Sequence, residues 1–430
     1  MRRFSRTLAS LSAAVVFAAL TAVLGLTAPA SAAALTQVTN FGANPGGAQM
    51  YVYVPDNHPA NPAILLALHG CGGTGPGFYA GSEFASLANQ YGFIVIYPSA
   101  EQQAGFGNCW DTWSAAAKVR GGGSDPVSLA SMITYTEQAY HGDPNRVYVT
   151  GSSSGGMMTD EMLALYPDVF KAGAAYMGVP FDCFADAADY PPGSSHCTNG
   201  TMVRTPQTWG DEVRAADPGY TGPRPPIQLW HGTADTLVPY QLLQEDIKQW
   251  TDVFGLSQTP TSTDTPQSGW NRSRFADSSG KVDVEAYSIQ GAGHVLPQTG
   301  MAAYAIHFFG LDGSGGTGGG NPPPAGACRV ADSVSAWSGG MTENITVTNT
   351  GTSAVDGWSL AFALASGQSV TNAWNATISP SSGQVAATNL GYDAAVAPGG
   401  SVTFGFQADQ TGNAAAPTGF SLNGAACTAA

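Results

Sequence analysis

The sequence predicts two folded units: a mostly parallel β-sheet with helices on both faces, then a linker and an all-β sandwich. Three observations carry this. Strand-like apolar runs alternate with helical spacings from residue 48 to residue 309. One strand passes through a sharp Gly/Ser turn directly into a helix. Beyond residue 325 the helical spacing stops, and short Val/Thr/Ala runs lie between Gly, Asn and Ser clusters. A chain of 430 residues is also too long for one ordinary core.

Charged residues make up only 10% of the chain, but aromatic and β-branched residues are not depleted, which suits a compact protein. The formal charge of −15 argues against nucleic acid and anionic membranes as partners. Residues 1–32 have the three parts of a secretion signal peptide. Arg2, Arg3 and Arg6 form a basic start, an apolar run follows from Leu8 to Leu26, and Ala30-Ser31-Ala32 offers small residues for cleavage. An uncleaved anchor is the competing reading, but Ser, Thr and Gly dilute the run. Six cysteines in an exported chain suggest disulfides. Pairing neighbours by region couples Cys71 with Cys109, Cys183 with Cys197 and Cys328 with Cys427, although sequence alone does not fix connectivity.

In chain order, Met50, Val52 and Val54 alternate as in an edge strand. Residues 63–68 form a continuous apolar run, as a strand buried on both faces does, and end in His69-Gly70-Cys71-Gly72-Gly73. Residues 83–90 read as helix and 92–97 as a second buried strand. Asp125-Pro126 opens a helix reaching about Tyr140, proline being tolerated at a helix start. Residues 146–150 form a strand with Val147 and Val149 on one face. Gly151-Ser152-Ser153-Ser154-Gly155 follows, and Met158, Met162, Leu163 and Tyr166 then recur at helical spacing. Residues 172–177, 226–230 and 282–289 read as further strands, and 240–250 and 301–309 as helices. The first unit therefore spans 33–311, a flexible Gly/Pro linker 312–325 and the sandwich 326–430.

Strand, turn and helix give the G-x-S-x-G pattern its meaning. On its own it would fit an ordinary Ser/Gly loop. Between a strand and a helix, it presents Ser153 as a nucleophile on a strained elbow. A serine hydroxyl needs a base, and the base needs an orienting carboxylate. His294, in Gly291-Ala292-Gly293-His294 after the last strand, is the candidate base among seven histidines. His307 falls inside the final helix, His141 precedes a turn, and His69 and His231 lie upstream. Asp235, in a turn directly after a buried strand, is the candidate acid ahead of Asp211 and Asp264. The backbone N–H groups of Ser154 and Cys71 are the candidate oxyanion donors. No metal-ligand pattern stands out, and no cofactor is expected.

These stretches carry a resemblance. LLALHGCGG, YGFIVIYPSA, NCWD, GGGSDPVSLASMITYT, RVYVTGSSSGGMMT, LWHGTADTLVPY and GAGHVLP resemble the polyhydroxybutyrate-depolymerase-like esterases of carbohydrate esterase family one. The block from NCWD to GSSSGGMMT is most similar to acetylxylan esterases. The resemblance implies an α/β-hydrolase fold, Ser153, Asp235 and His294 as the triad, and a Cys71–Cys109 disulfide beside the oxyanion loop. It implies acetylated xylan as substrate, with feruloyl esters and polyhydroxyalkanoate as alternatives.

In the sandwich, Trp358 opens an alternating run and reads as core. Trp337, Trp374 and Tyr392 sit in polar surroundings that leave a ring exposed. NITVTNTG, GWSLAF, NAWNATIS, APGGSVTFGF, LNGAAC and the terminal cysteines resemble the family two carbohydrate-binding modules. That resemblance implies that the three rings form a flat strip binding cellulose, with tyrosine where tryptophan is usual. A monomer is expected. The readings outside this scheme are a cellulose-binding protein with an inactive hydrolase fold, and a purely structural sandwich.

Overall fold

A computed structural model describes residues 34–56, 58–104, 107–184, 196–314, 316, 328–351, 354–422 and 425–429. The expected leader lies outside these residues, as does the expected linker apart from 312–314 and 316.

The first unit opens with β1 (Thr36–Val38), β2 (Met50–Tyr53), β3 (Ile64–Leu68), α1 (Gly75–Gly81), α2 (Phe84–Tyr91) and β4 (Ile94–Ile96). A small hairpin of β5 (Gln103–Ala104) and β6 (Gly107–Asn108) leads to α3 (Asp125–Tyr140), β7 (Val147–Ser152), α4 (Ser154–Leu165) and β8 (Phe170–Tyr176). Next come α5 (Pro206–Ala216), β9 (Ile227–Gly232), α6 (Gln241–Val253), β10 (Ser262–Gln267), β11 (Trp270–Ala276), β12 (Val282–Ile289) and α7 (Met301–Phe308). One ten-stranded sheet runs in the order β1-β2-β4-β3-β7-β8-β9-β12-β11-β10. Its centre, β4 to β12, is parallel, with antiparallel pairs at both edges.

The alternation within β3 shows why both faces are covered. Ile64, Leu66 and Leu68 join the core under α3 to α6, whereas Leu65 and Ala67 join the core under α1, α2 and α7. Every residue of β3 is fully buried, each large side chain contributing roughly 1.5–3 kcal/mol of burial. The chain moves from β3 outward to β4, then crosses back to place β7 on the other side of β3. That reversal opens a crevice at the strands' carboxyl ends, where such sheets hold their chemistry.

Residues 50–53 are not at the edge, as the sequence suggested. β1 pairs outside them, from Thr36↔Val52 to Val38↔Met50. β1 has only three residues, two of them exposed, too few to show alternation. Six further elements were not evident: α1, β5, β6, α5, β10 and β11. β10 is an almost wholly exposed edge strand without apolar periodicity.

Two five-stranded antiparallel-rich sheets form the second unit. Residues Cys328–Trp337, Gly340–Asn349, Gln368–Trp374, Ser401–Gln410 and Thr428–Ala429 supply one, and Ser359–Ala363 and Gln384–Thr388 lie within the other. Met341, Ile345 and Val347 face Leu360 and Phe362 across the core. Trp358 is core as expected: it is buried, stacks on Phe404, and donates from Nε1 to the Asp393 carbonyl at 2.9 Å. Disulfides join Cys71 to Cys109, Cys183 to Cys197 and Cys328 to Cys427, in agreement with pairing by region.

Candidate active site

Ser153 stands between the end of β7 and the start of α4, with φ 56° and ψ −119°. A side chain rarely adopts this conformation unless its surroundings enforce it. Here they do: the Ser153 N–H donates to the Tyr176 carbonyl at 2.8 Å, and the two motif glycines leave no room for anything larger. A Cβ on Gly155 would lie 2.3 Å from the Leu68 carbonyl oxygen, and one on Gly151 would lie 2.2 Å from that of Gly155.

The Ser153 hydroxyl donates to His294 Nε2 at 2.8 Å, and His294 Nδ1–H donates to Asp235 Oδ2 at 2.7 Å. This pattern assigns the proton of a neutral imidazole to Nδ1 and leaves Nε2 free to accept. Asp235 Oδ1 accepts from the N–H groups of Leu237 and Val238, both at 3.0 Å. Burial alone would push this carboxyl up, but the hydrogen bonds from His294 and the Val238 N–H hold it below the usual carboxylate range. The competing acids are engaged elsewhere. Asp211 pairs with Arg214 on α5, and Asp264 with Arg272 on the β10–β11 hairpin.

The loop after β3 passes directly over the serine. A Cβ on Gly70 would sit 3.1 Å from that of Ser153. His69, not singled out as functional in the sequence, anchors this loop. Its Nδ1–H donates to the Gly70 carbonyl at 2.6 Å, its Nε2 accepts from the Ala100 N–H at 3.0 Å, and its own carbonyl accepts from Trp110 Nε1 at 2.9 Å. Both ring nitrogens are thus committed in the neutral form, and burial pushes the His69 pKa down. His231 is likewise buried and kept from protonation by desolvation, with Nε2–H donating to the Val238 carbonyl at 2.8 Å.

Around these groups lies a cavity of about 340 Å³ lined by Gly70, Cys71, Met157, Met177, Leu237, Val238 and Leu296 together with Ser152, Ser153 and His294. The structure therefore brings Ser153, His294 and Asp235 into one hydrogen-bonded line, with Cys71 on the cavity wall and Ser154 at the buried start of α4. A hydroxyl bonded to an imidazole that a carboxylate orients can pass its proton as it attacks a carbonyl.

Comparison with known proteins fits this geometry. Residues 50–190 match the esterase PHB depolymerase family, and residues 328–427 match the cellulose binding domain family. An acetylxylan esterase of Coprinopsis cinerea is 47% identical over 281 residues, 64% of this chain and 73% of that protein. The chain belongs to the PHB-depolymerase-type esterases. A feruloyl esterase B of Talaromyces stipitatus is 44% identical over 284 residues, covering 66% of this chain and 77% of that one. The solved acetyl xylan esterase of Aspergillus awamori superposes with a TM-score of 0.60 at 40% identity, over 65% of this chain and 99% of that one. This PHB-depolymerase-type esterase is a carboxylic ester hydrolase of the acetylxylan and feruloyl esterase type, with a C-terminal cellulose binding domain.

On the esterase's second unit, strand register puts the two candidate tryptophans on one face. Trp337 pairs with Gly340, while Trp374 pairs with Gly405 and, through it, Asn344. Gly340 and Asn344 are four residues apart on one strand, so they share a face about 13 Å apart. Each ring lies on a glycine. A Cβ on Gly340 would be 2.7 Å from Trp337 Nε1, and one on Gly405 would be 2.3 Å from Trp374 Cζ2. Tyr392, 73% exposed, donates to Asn375 Oδ1 at 3.0 Å beside Trp374. Trp374 itself is half-buried rather than exposed, because one face of its ring rests on Gly405.

Proposed function

We propose that the protein is an extracellular acetylxylan esterase that its C-terminal domain holds on cellulose. The observation that carries the ester chemistry is the line Ser153 Oγ, His294, Asp235, with hydrogen bonds of 2.8 and 2.7 Å. Ser153 attacks the acetyl carbonyl while His294 Nε2 takes its proton. The N–H groups of Cys71 and Ser154 receive the oxyanion. His294 then protonates the departing sugar hydroxyl, and water, activated through the same nitrogen, releases acetate. Asp235 keeps the imidazole proton on Nδ1 throughout.

Preference for acetyl is supported by the cavity wall of Met157, Met177, Leu237, Val238 and Leu296, which among the described residues brings no Phe, Tyr or Trp to stack on a phenolic ring. Feruloyl ester hydrolysis is the second reading, favoured by the 44% identical feruloyl esterase B. Three disulfides support an oxidising, extracellular setting, in keeping with the leader at 1–32. The linker at 312–325 would let the catalytic unit sweep substrate around a point held by Trp337, Trp374 and Tyr392, raising its local concentration.

The test measures acetate from acetylated xylan and ferulate from methyl ferulate, using the protein and its Ser153→Ala variant. Acetate as the dominant product, lost in the variant, is expected. Dominant ferulate would keep Ser153 but overturn the substrate, and activity surviving in Ser153→Ala would remove Ser153 from the scheme.

A further inference from the structure

His294 sits on a loop whose two ends are tied to different parts of the sheet. Before the histidine, the loop is fastened to the acid's turn. The Ala234 N–H donates to the Ala292 carbonyl at 2.9 Å, and the Gly291 N–H donates to Thr233 Oγ1 at 2.8 Å. After the histidine, both backbone groups of Leu296 are held. Its carbonyl accepts from Ser152 Oγ at 2.7 Å, and its N–H donates to Met177 Sδ at 3.3 Å. Ser152 and Leu296 are 144 residues apart in sequence, yet Ser152 is bonded to Ser153 and Leu296 is two residues from His294.

Ties on the first side fix His294 relative to Asp235. They do not reach the nucleophile, which follows β7. On the second side, among the described residues, the Ser152 hydroxyl joins the histidine's loop to the end of β7. Met177 reinforces it from the end of β8. It holds a left-handed φ of 53°, a conformation unfavourable for a side chain by about 1 kcal/mol, and its sulfur meets Leu296 from there.

We propose that Ser152 is a positioning residue for the reaction: its hydroxyl tethers the His294 loop to the strand that leads into Ser153 and so sets the gap the proton crosses. The proposal rests on Ser153, His294 and Asp235 being the reacting groups. A hydroxyl serving only to satisfy a strand end would affect stability alone. A tether affects proton transfer, because a misplacement of about 1 Å between reacting groups costs about a hundredfold in rate.

The experiment compares the full-length protein with Ser152→Ala, Ser152→Thr and Ser153→Ala. It reads kcat and KM for p-nitrophenyl acetate, the rate of labelling by a fluorophosphonate, and thermal unfolding. Ser152→Ala is expected to unfold normally, lose about ten- to a hundredfold in kcat with KM within about twofold, and label more slowly in proportion. Ser152→Thr, which keeps the hydroxyl at a position lining the cavity, is expected to recover most of kcat. A folded Ser152→Ala with kcat and labelling within twofold of the parent would overturn the tether. So would a loss that Thr does not repair. Should Ser152→Ala unfold, the proposal stands or falls on Ser152→Thr retaining kcat. Activity persisting in Ser153→Ala would instead remove the reacting groups themselves, a separate failure.

Discussion

At Asp235 the two carboxylate oxygens have different duties. Oδ1 is pinned by two backbone N–H groups and Oδ2 faces His294. An asparagine would have to keep its oxygen on those N–H groups, so its amide nitrogen would face the imidazole. His294 would then carry its proton on Nε2 and could not accept from Ser153. Asp235→Asn is therefore expected to fold normally and lose about 10³–10⁴-fold in kcat for p-nitrophenyl acetate. A loss below tenfold would count against Asp235 as the orienting acid. Ser153, Asp235 and His294 were legible because each follows a strand at a Gly-rich or polar turn, a local pattern. Ser152, Met177 and His69 were not. Their partners are the backbone groups of Leu296, Gly70 and Ala100, and which of these a side chain reaches is decided by tertiary packing alone.

Elements differ in how much of themselves they print in the sequence. β3 and β9 are buried from end to end, and β7 up to its half-buried Ser152, so each is legible as a strand. α5 carries a usable signal: Thr205 caps it by accepting from the Thr208 N–H at 3.1 Å, Pro206 opens it, and Trp209, Val213 and Ala216 recur on one face. β10 carried none, since an exposed edge needs no apolar side. The strand Gly340–Asn349 breaks its own pattern, placing Glu343 on the inward face between Met341 and Ile345. Burial, and secondarily the Asp332 carboxylate, push Glu343 up to about 8 from an ordinary 4.5. Between those values the unfolded chain releases a proton that the folded one keeps, so stability contributed below pH 4.5 is lost as pH rises to about 8. Glu343→Gln should flatten that decline in the thermal transition of the second unit. An unchanged slope from pH 5 to pH 8 would assign the decline to another group.

Across the whole molecule, the Ser153–His294–Asp235 line and the candidate rings Trp337, Trp374 and Tyr392 lie in separate units with separate cores. Trp337→Ala and Trp374→Ala are each expected to weaken binding to microcrystalline cellulose by about tenfold or more in a depletion assay. Neither should alter turnover of soluble p-nitrophenyl acetate. Equal binding by both variants and the parent would take the rings out of the anchoring surface. The glycines beneath the rings bear on how such a surface gains affinity. Gly340 and Gly405 let each indole settle against the sheet before any partner arrives, so its rotamer is chosen during folding. Docking then surrenders little side-chain entropy, and the strength of attachment follows the area of ring covered and the water displaced.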